Sequence, residues 1–156
     1  MKQMTLRREG KKLVGECTSK WQGGVRSQTT FGEGVPLLMD EPREFLGSGE
    51  GPTPMEVMLA SISGCAVATF AYIAEKKGVK LEGLNAIARG EAIRTGEDGW
   101  RIKDVDMVMD VKAAPDVPSE QVKECFDQYQ RFCPIRRSIE AGIPVRVSLN
   151  LREEKR

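Results

Sequence analysis

The chemistry open to this chain starts from its cysteines: Cys17, Cys65, Cys125 and Cys133. Two of them stand in settings where a thiol could react. Cys133 lies directly before Pro134 in RFCPIRRSIEAG, and Cys65 closes the apolar segment GPTPMEVMLASISGC. The chain has no histidine to act as a base for either. If the fold brings these two sulfurs together, the protein is a dithiol redox device. If it does not, the chain is a plain globular domain with four stray cysteines.

Local electrostatics favour Cys133 as the thiolate. Proline is the preferred first residue of a helix, so Pro134 places the sulfur near unpaired amides and the positive end of a helix dipole. Arg131, Arg136 and Arg137 lie close in sequence, and cations lower a thiol pKa. Cys65 has the opposite environment. Mid-helix among Ile62, Ala66 and Val67, it should be buried and its thiolate disfavoured by desolvation, unless the fold delivers a cation. Cys125 reads as a core residue, and Cys17, on an N-terminal strand, as either core or surface. Arg26 in WQGGVRS is a candidate cation source, with a plain exposed strand arginine as the alternative. Glu56 is a candidate to orient such a cation, although it sits about two and a half helical turns before Cys65 and is already explained as a helix cap.

The elements that must position these residues can be read from the pattern. MTLRREG, KKLVGECTS, RSQTTFGEG and VPLLMD read as short strands separated by glycine turns, and residues 41–53 as a loop. Thr53-Pro54-Met55-Glu56 is a capping box, and it opens a helix whose run from Val57 to Ala74 carries no charge before Glu75-Lys76-Lys77-Gly78 ends it. That run spans about 27 Å, close to a membrane crossing. It is rich in Ala, Ser, Gly and Thr, and we read it as a central core helix, covered by sheet on one side and by a partner subunit on the other. LEGLNAIARGEAIRTG and WRIKDVDMVMDVKA follow as a hairpin turning at Asp98-Gly99, with Val105, Met107, Met109 and Val111 on one face. A helix from Ser119 to Arg131 places Val122, Cys125, Phe126, Tyr129 and Phe132 along one side. Cys133-Pro134 opens a short helix that Gly142 closes, and VRVSLNL is a final strand. The order gives a single α+β domain over 1–156.

Composition narrows the function. The 156 residues are 40% apolar and 30% charged with a formal net charge of +1, so neither nucleic acid nor an anionic membrane is an expected partner. The cysteines show no CxxC or CxxH spacing, which argues against zinc, and no other cofactor is implied. The N-terminus lacks the basic and apolar pattern of a secretory signal. A cytoplasmic location follows, where a disulfide is catalytic or sensory rather than structural.

The segments GPTPMEVMLASISGCAVATF (51–70) and YQRFCPIRRSI (129–139) resemble the OsmC/Ohr family, the osmotically inducible and organic hydroperoxide resistance proteins, and the element order agrees over nearly the full length. The resemblance implies an antiparallel sheet wrapped around a long central helix, in an intertwined homodimer with active sites at the subunit interface. It also implies reduction of organic hydroperoxides or hydrogen peroxide. The helix cysteine attacks and becomes a sulfenic acid, and the Cys-Pro cysteine resolves it as a disulfide; these roles fall on Cys65 and Cys133. A dithiol, lipoyl or thioredoxin-like, then recycles the pair. Family and local electrostatics disagree on which thiol attacks, and we follow the family. One position departs from the peroxidase pattern: the glutamate that pairs with the active-site arginine falls on Met55 here, with Glu56 one step later and Arg26 as the candidate arginine. The other reading is an OsmC-like protein that binds a ligand or senses redox state without efficient turnover.

Overall fold

The capping box at Thr53 builds the longest element. In the computed structural model, which describes residues 6–142, the Thr53 amide and hydroxyl donate to the Glu56 carboxylate at 2.7 and 2.9 Å. The Glu56 amide donates back to the Thr53 hydroxyl at 3.2 Å. Helix α1 runs from there over Pro54–Lys77. It ends at Gly78, whose φ of 69° lets the Val79 amide reach back to the Ala74 carbonyl at 2.9 Å, the closure that a left-handed glycine cap provides. By length and composition alone α1 is long and apolar enough to cross a membrane. Ile62, Ala66, Phe70, Ile73 and Ala74, spaced to share one helical face, are buried against protein.

The chain divides into two compact units, Met1–Ala60 with Gly90–Lys103, and Ser61–Arg89 with Asp104–Arg156. In the first, β1 (Arg7–Glu9) pairs antiparallel with β2 (Lys12–Val14). Strands β3 (Thr18–Trp21), β4 (Ser27–Thr30) and β5 (Leu37–Met39) form an antiparallel sheet in that order, with Trp21 opposite Ser27 and Ser27 opposite Met39. The expected single strand KKLVGECTS is therefore two, β2 and β3, which pair with different partners across the break at Gly15–Cys17. The loop after β5 is organised by Asp40. This buried carboxylate accepts from the Glu41, Ser48 and Glu50 amides and from the Ser48 hydroxyl, at 2.7–3.1 Å. Those bonds, led by the Ser48 hydroxyl, hold its pKa well below the usual carboxylate range.

The second unit holds the core. Strands β6 (Leu81–Arg94) and β7 (Trp100–Ala113) form the expected hairpin, both continuing into the first unit. The turn is wider than Asp98-Gly99 alone: a 3-10 turn over Gly96–Asp98 is closed by the Thr95 amide donating to the Gly99 carbonyl at 2.8 Å. Along β7, Val105, Met107, Met109 and Val111 turn to the half-buried face while Asp106, Val108 and Asp110 stay exposed. Leu81, Leu84, Met107, Met109 and Val111 pack on a cluster made by Ala66, Phe70, Ile73 and Ala74 of α1 with Cys125, Tyr129 and Cys133. Helix α2 (Ser119–Phe132) buries a narrower stripe than expected. Cys125 and Tyr129 are covered and Val122 is half-buried, whereas Phe126 and Phe132 are 41% and 65% exposed. Phe126 lies about 100° round the helix from Cys125, and Phe132 is the last residue before the chain turns. Helix α3 (Pro134–Glu140) follows, and Gly142 has a φ of 72°. The VRVSLNL run lies outside the described residues. The architecture is α+β, with one long helix and antiparallel sheets.

Candidate functional site

The elbow between α2 and α3 places the first sulfur. A residue before proline is pushed out of the helical region, and Cys133 has φ −64° and ψ 110°. Helix α2 must therefore stop at Phe132, and Pro134 restarts the chain as α3. The Cys133 amide still donates to the Tyr129 carbonyl at 2.9 Å and its carbonyl accepts from the Arg137 amide at 3.2 Å, so the break is fixed from both sides. The side chain is thereby fully buried against α1. Cys65 faces it from α1, half-buried. The Cys133 thiol donates to the Cys65 sulfur at 3.5 Å, and Thr69, one turn on from Cys65, brings its hydroxyl to 3.9 Å from the same sulfur.

Burial decides the electrostatics. It pushes the Cys133 thiol above its ordinary 9.0. The Arg136 amide opposes this without making a cap hydrogen bond of ordinary geometry, and the neighbouring Cys65 adds to the rise. The expectation that its surroundings ease the ionisation of Cys133 is thus corrected. Two of the arginines that suggested it, Arg136 and Arg131, are committed elsewhere. Arg136 donates to the Gln130 carbonyl at 2.7 Å and pairs with Glu140 at 2.8 Å, and Arg131 donates to the Asp127 carbonyl at 3.4 Å. A protonated Cys133 points its hydrogen at the Cys65 sulfur.

Cys125 is buried in the same core, where desolvation raises its pKa, and Cys17 is exposed. Glu56 and Arg26, the other candidate residues, each have partners in the first unit. The Glu56 carboxylate is exposed and held by Thr53, whose amide and hydroxyl lower its pKa. Arg26 follows a turn made by Gly23 and Gly24, with φ values of 90° and 56°. Its guanidinium pairs with Glu50 at 2.9 Å beside a recess of about 270 Å³ that Ser48 and Leu46 also line. The sequence reading missed Thr69 and Tyr129. Each stands four residues from one of the two paired cysteines, the spacing that puts helical side chains on one face.

Two free thiols at this separation can close to a disulfide, whose sulfurs lie about 2.05 Å apart, with small side-chain movement. Closure releases two electrons to an oxidant, and a sulfur oxidised beside a second thiol is trapped before it goes further.

A family model described as OsmC-like protein matches residues 47–148. No curated protein matches the chain. Among solved structures, an OsmC-like protein from Mycoplasma pneumoniae superposes with a TM-score of 0.70 at 17% identity, covering 81% of this chain and 87% of that one. An OsmC-like protein of unknown function from Vibrio cholerae gives 0.71 at 17% identity, covering 81% and 94%. The organic hydroperoxide resistance protein OhrB of Bacillus subtilis gives 0.60 at 18% identity, covering 80% and 89%. At these identities the likeness speaks for the fold, and the family match runs from the glycine loop before α1 through both cysteine segments. The chain belongs to the OsmC-like family.

Proposed function

We propose that the protein is a thiol-dependent peroxidase that reduces organic hydroperoxides or hydrogen peroxide through a Cys65/Cys133 dithiol–disulfide cycle. The observation that carries this reading is the 3.5 Å approach of the two sulfurs. The family membership and the organic hydroperoxide resistance proteins among the structural neighbours support it. Cys65, as thiolate, attacks the O–O bond; an S–O bond forms, the alkoxide or hydroxide leaves and is protonated, and Cys65 becomes a sulfenic acid. The Cys133 thiol then attacks the Cys65 sulfur, and the oxygen departs as water with the Cys133 proton. A lipoyl or thioredoxin-like dithiol in a reducing cytoplasm returns both thiols. Arg26 and Glu56 are proposed as supporting residues, and no bound cofactor enters the cycle.

The acting form is proposed to be a homodimer. Gly64, Ala68 and Tyr72 form an exposed stripe on α1, Tyr72 at 64% exposure, and a Cβ at Gly64 would meet nothing within 4 Å. An exposed helix face with small residues at Gly64 and Ala68 suits a second helix. Sedimentation of the reduced chain reads the state directly.

The test is peroxide consumption by the reduced protein. Wild type consumes cumene hydroperoxide repeatedly with a dithiol present. Cys65→Ser should abolish consumption, and Cys133→Ser should leave one turnover that ends in sulfenic acid. Loss of the first turnover in Cys133→Ser alone would reverse the roles. A ligand-binding or sensing protein would instead oxidise slowly, with no dependence on Cys65.

A further inference from the structure

Tyr129 is a polar side chain sealed in the dithiol core. It is 1% exposed, packed in the same cluster as Cys65 and Cys133, and its hydroxyl finds no hydrogen-bond partner among the described residues. Buried hydroxyls are nearly always bonded, so an orphan marks either wasted stability or a place kept for a group that comes and goes. Position argues for the second. Tyr129 sits one turn before Cys133 on the buried stripe of α2, and the Tyr129 carbonyl itself accepts the Cys133 amide. Its ring is held by Phe126, with centroids 5.7 Å apart. Both sulfurs lie within electrostatic reach of the hydroxyl. Burial first, and then Cys133, pushes its pKa above the ordinary 10.0 despite Arg136, so it keeps its proton and can donate. Thr69 is the other hydroxyl at the pair, 3.9 Å from the Cys65 sulfur, and unlike Tyr129 it already has partners there.

We propose that the Tyr129 hydroxyl is the donor kept for the oxygen that peroxide leaves on Cys65, holding the sulfenic acid and easing its departure as water when Cys133 attacks. This inference rests on the peroxidase reading. The step balances without any other reagent. The Cys133 sulfur forms a bond to the Cys65 sulfur, and the Cys65 S–O bond breaks with its electron pair going to oxygen. The Cys133 proton completes water. Tyr129 donates a hydrogen bond throughout and is chemically unchanged. The donated bond steadies the negative charge that grows on the leaving oxygen, as fixed donors do at developing oxyanions.

Tyr129→Phe removes only the hydroxyl. If the orphan has no partner in the reduced state, this variant should melt no lower than wild type, because it deletes an unsatisfied buried group. The experiment follows reduced protein after one equivalent of cumene hydroperoxide, quenching with dimedone to count sulfenic acid and with an alkylating agent to count disulfide. Tyr129→Phe is expected to form sulfenic acid on Cys65 as wild type does and to convert it to disulfide about 100-fold more slowly, so that dimedone adduct accumulates. Conversion at the wild-type rate would overturn the inference alone. So would a lower melting temperature with both steps slowed alike, the mark of a structural role. Wild type that forms neither sulfenic acid nor disulfide would overturn the peroxidase reading and this inference together.

Discussion

A thiol 3.5 Å from another thiol does not ionise independently of it. At Cys133, burial and the neighbouring Cys65 act in one direction; at Cys125 burial dominates over the opposing charge of Lys77. Both thiols therefore have folded-state pKa values above 9.0, and the sign of the linkage follows. Their contribution to stability is fully present below 9.0 and is lost as pH rises through the folded values, because the unfolded chain ionises first. The reduced protein should lose denaturant resistance as pH rises above 9.0, and Cys125→Ala should shrink that loss. Equal slopes in variant and wild type would show that Cys125 does not titrate differently on folding. Sequence could name Cys65 and Cys133 but ranked them in two opposite ways. The arginines near Cys133 looked available, and only coordinates show Arg136 spent on Gln130 and Glu140. Tyr129 passed as a core aromatic because sequence does not reveal whether a buried hydroxyl is paired.

At the scale of elements, the signals that survive are those with a local cause. The capping box, the glycine stop at Gly78, the alternating face of β7 and the Cys-Pro break all follow from one or two turns of chain, and the structure has each of them. Those that changed depend on partners far along the chain. β2 and β3 separate because they pair with different strands. The outward turn of Phe126 depends on how α2 meets α1 and the hairpin. The cap carries a direct prediction. Thr53→Ala removes the hydroxyl that the Glu56 amide donates to and should destabilise the protein by about 1 kcal/mol, read from the shift in denaturant midpoint. No shift would mean that Glu56 alone suffices to start α1.

At the scale of the whole molecule, α1 and α2 exist as a pair because they share one core, with Cys65 on α1 and Cys133 at the elbow where α2 ends. Ala66, Phe70, Ile73 and Ala74 meet Cys125, Tyr129 and Cys133, so the packing that stabilises the unit also sets the sulfur separation. The family could be read from the residues of the two cysteine segments, 51–70 and 129–139, taken together with the element order. The proposed supporting places of Arg26 and Glu56 were less legible, because neighbours within their own unit, Glu50 and Thr53, already account for them. The central claim is that the core holds Cys65 and Cys133 ready to couple. The most direct measurement is mass-spectrometric mapping of disulfides in the intact reduced protein, sampled over seconds after one equivalent of cumene hydroperoxide. The account predicts a single Cys65–Cys133 bridge formed in step with peroxide loss, with Cys17 and Cys125 still free. Slow oxidation spread over all four cysteines, or a bridge through Cys17 or Cys125, would contradict it.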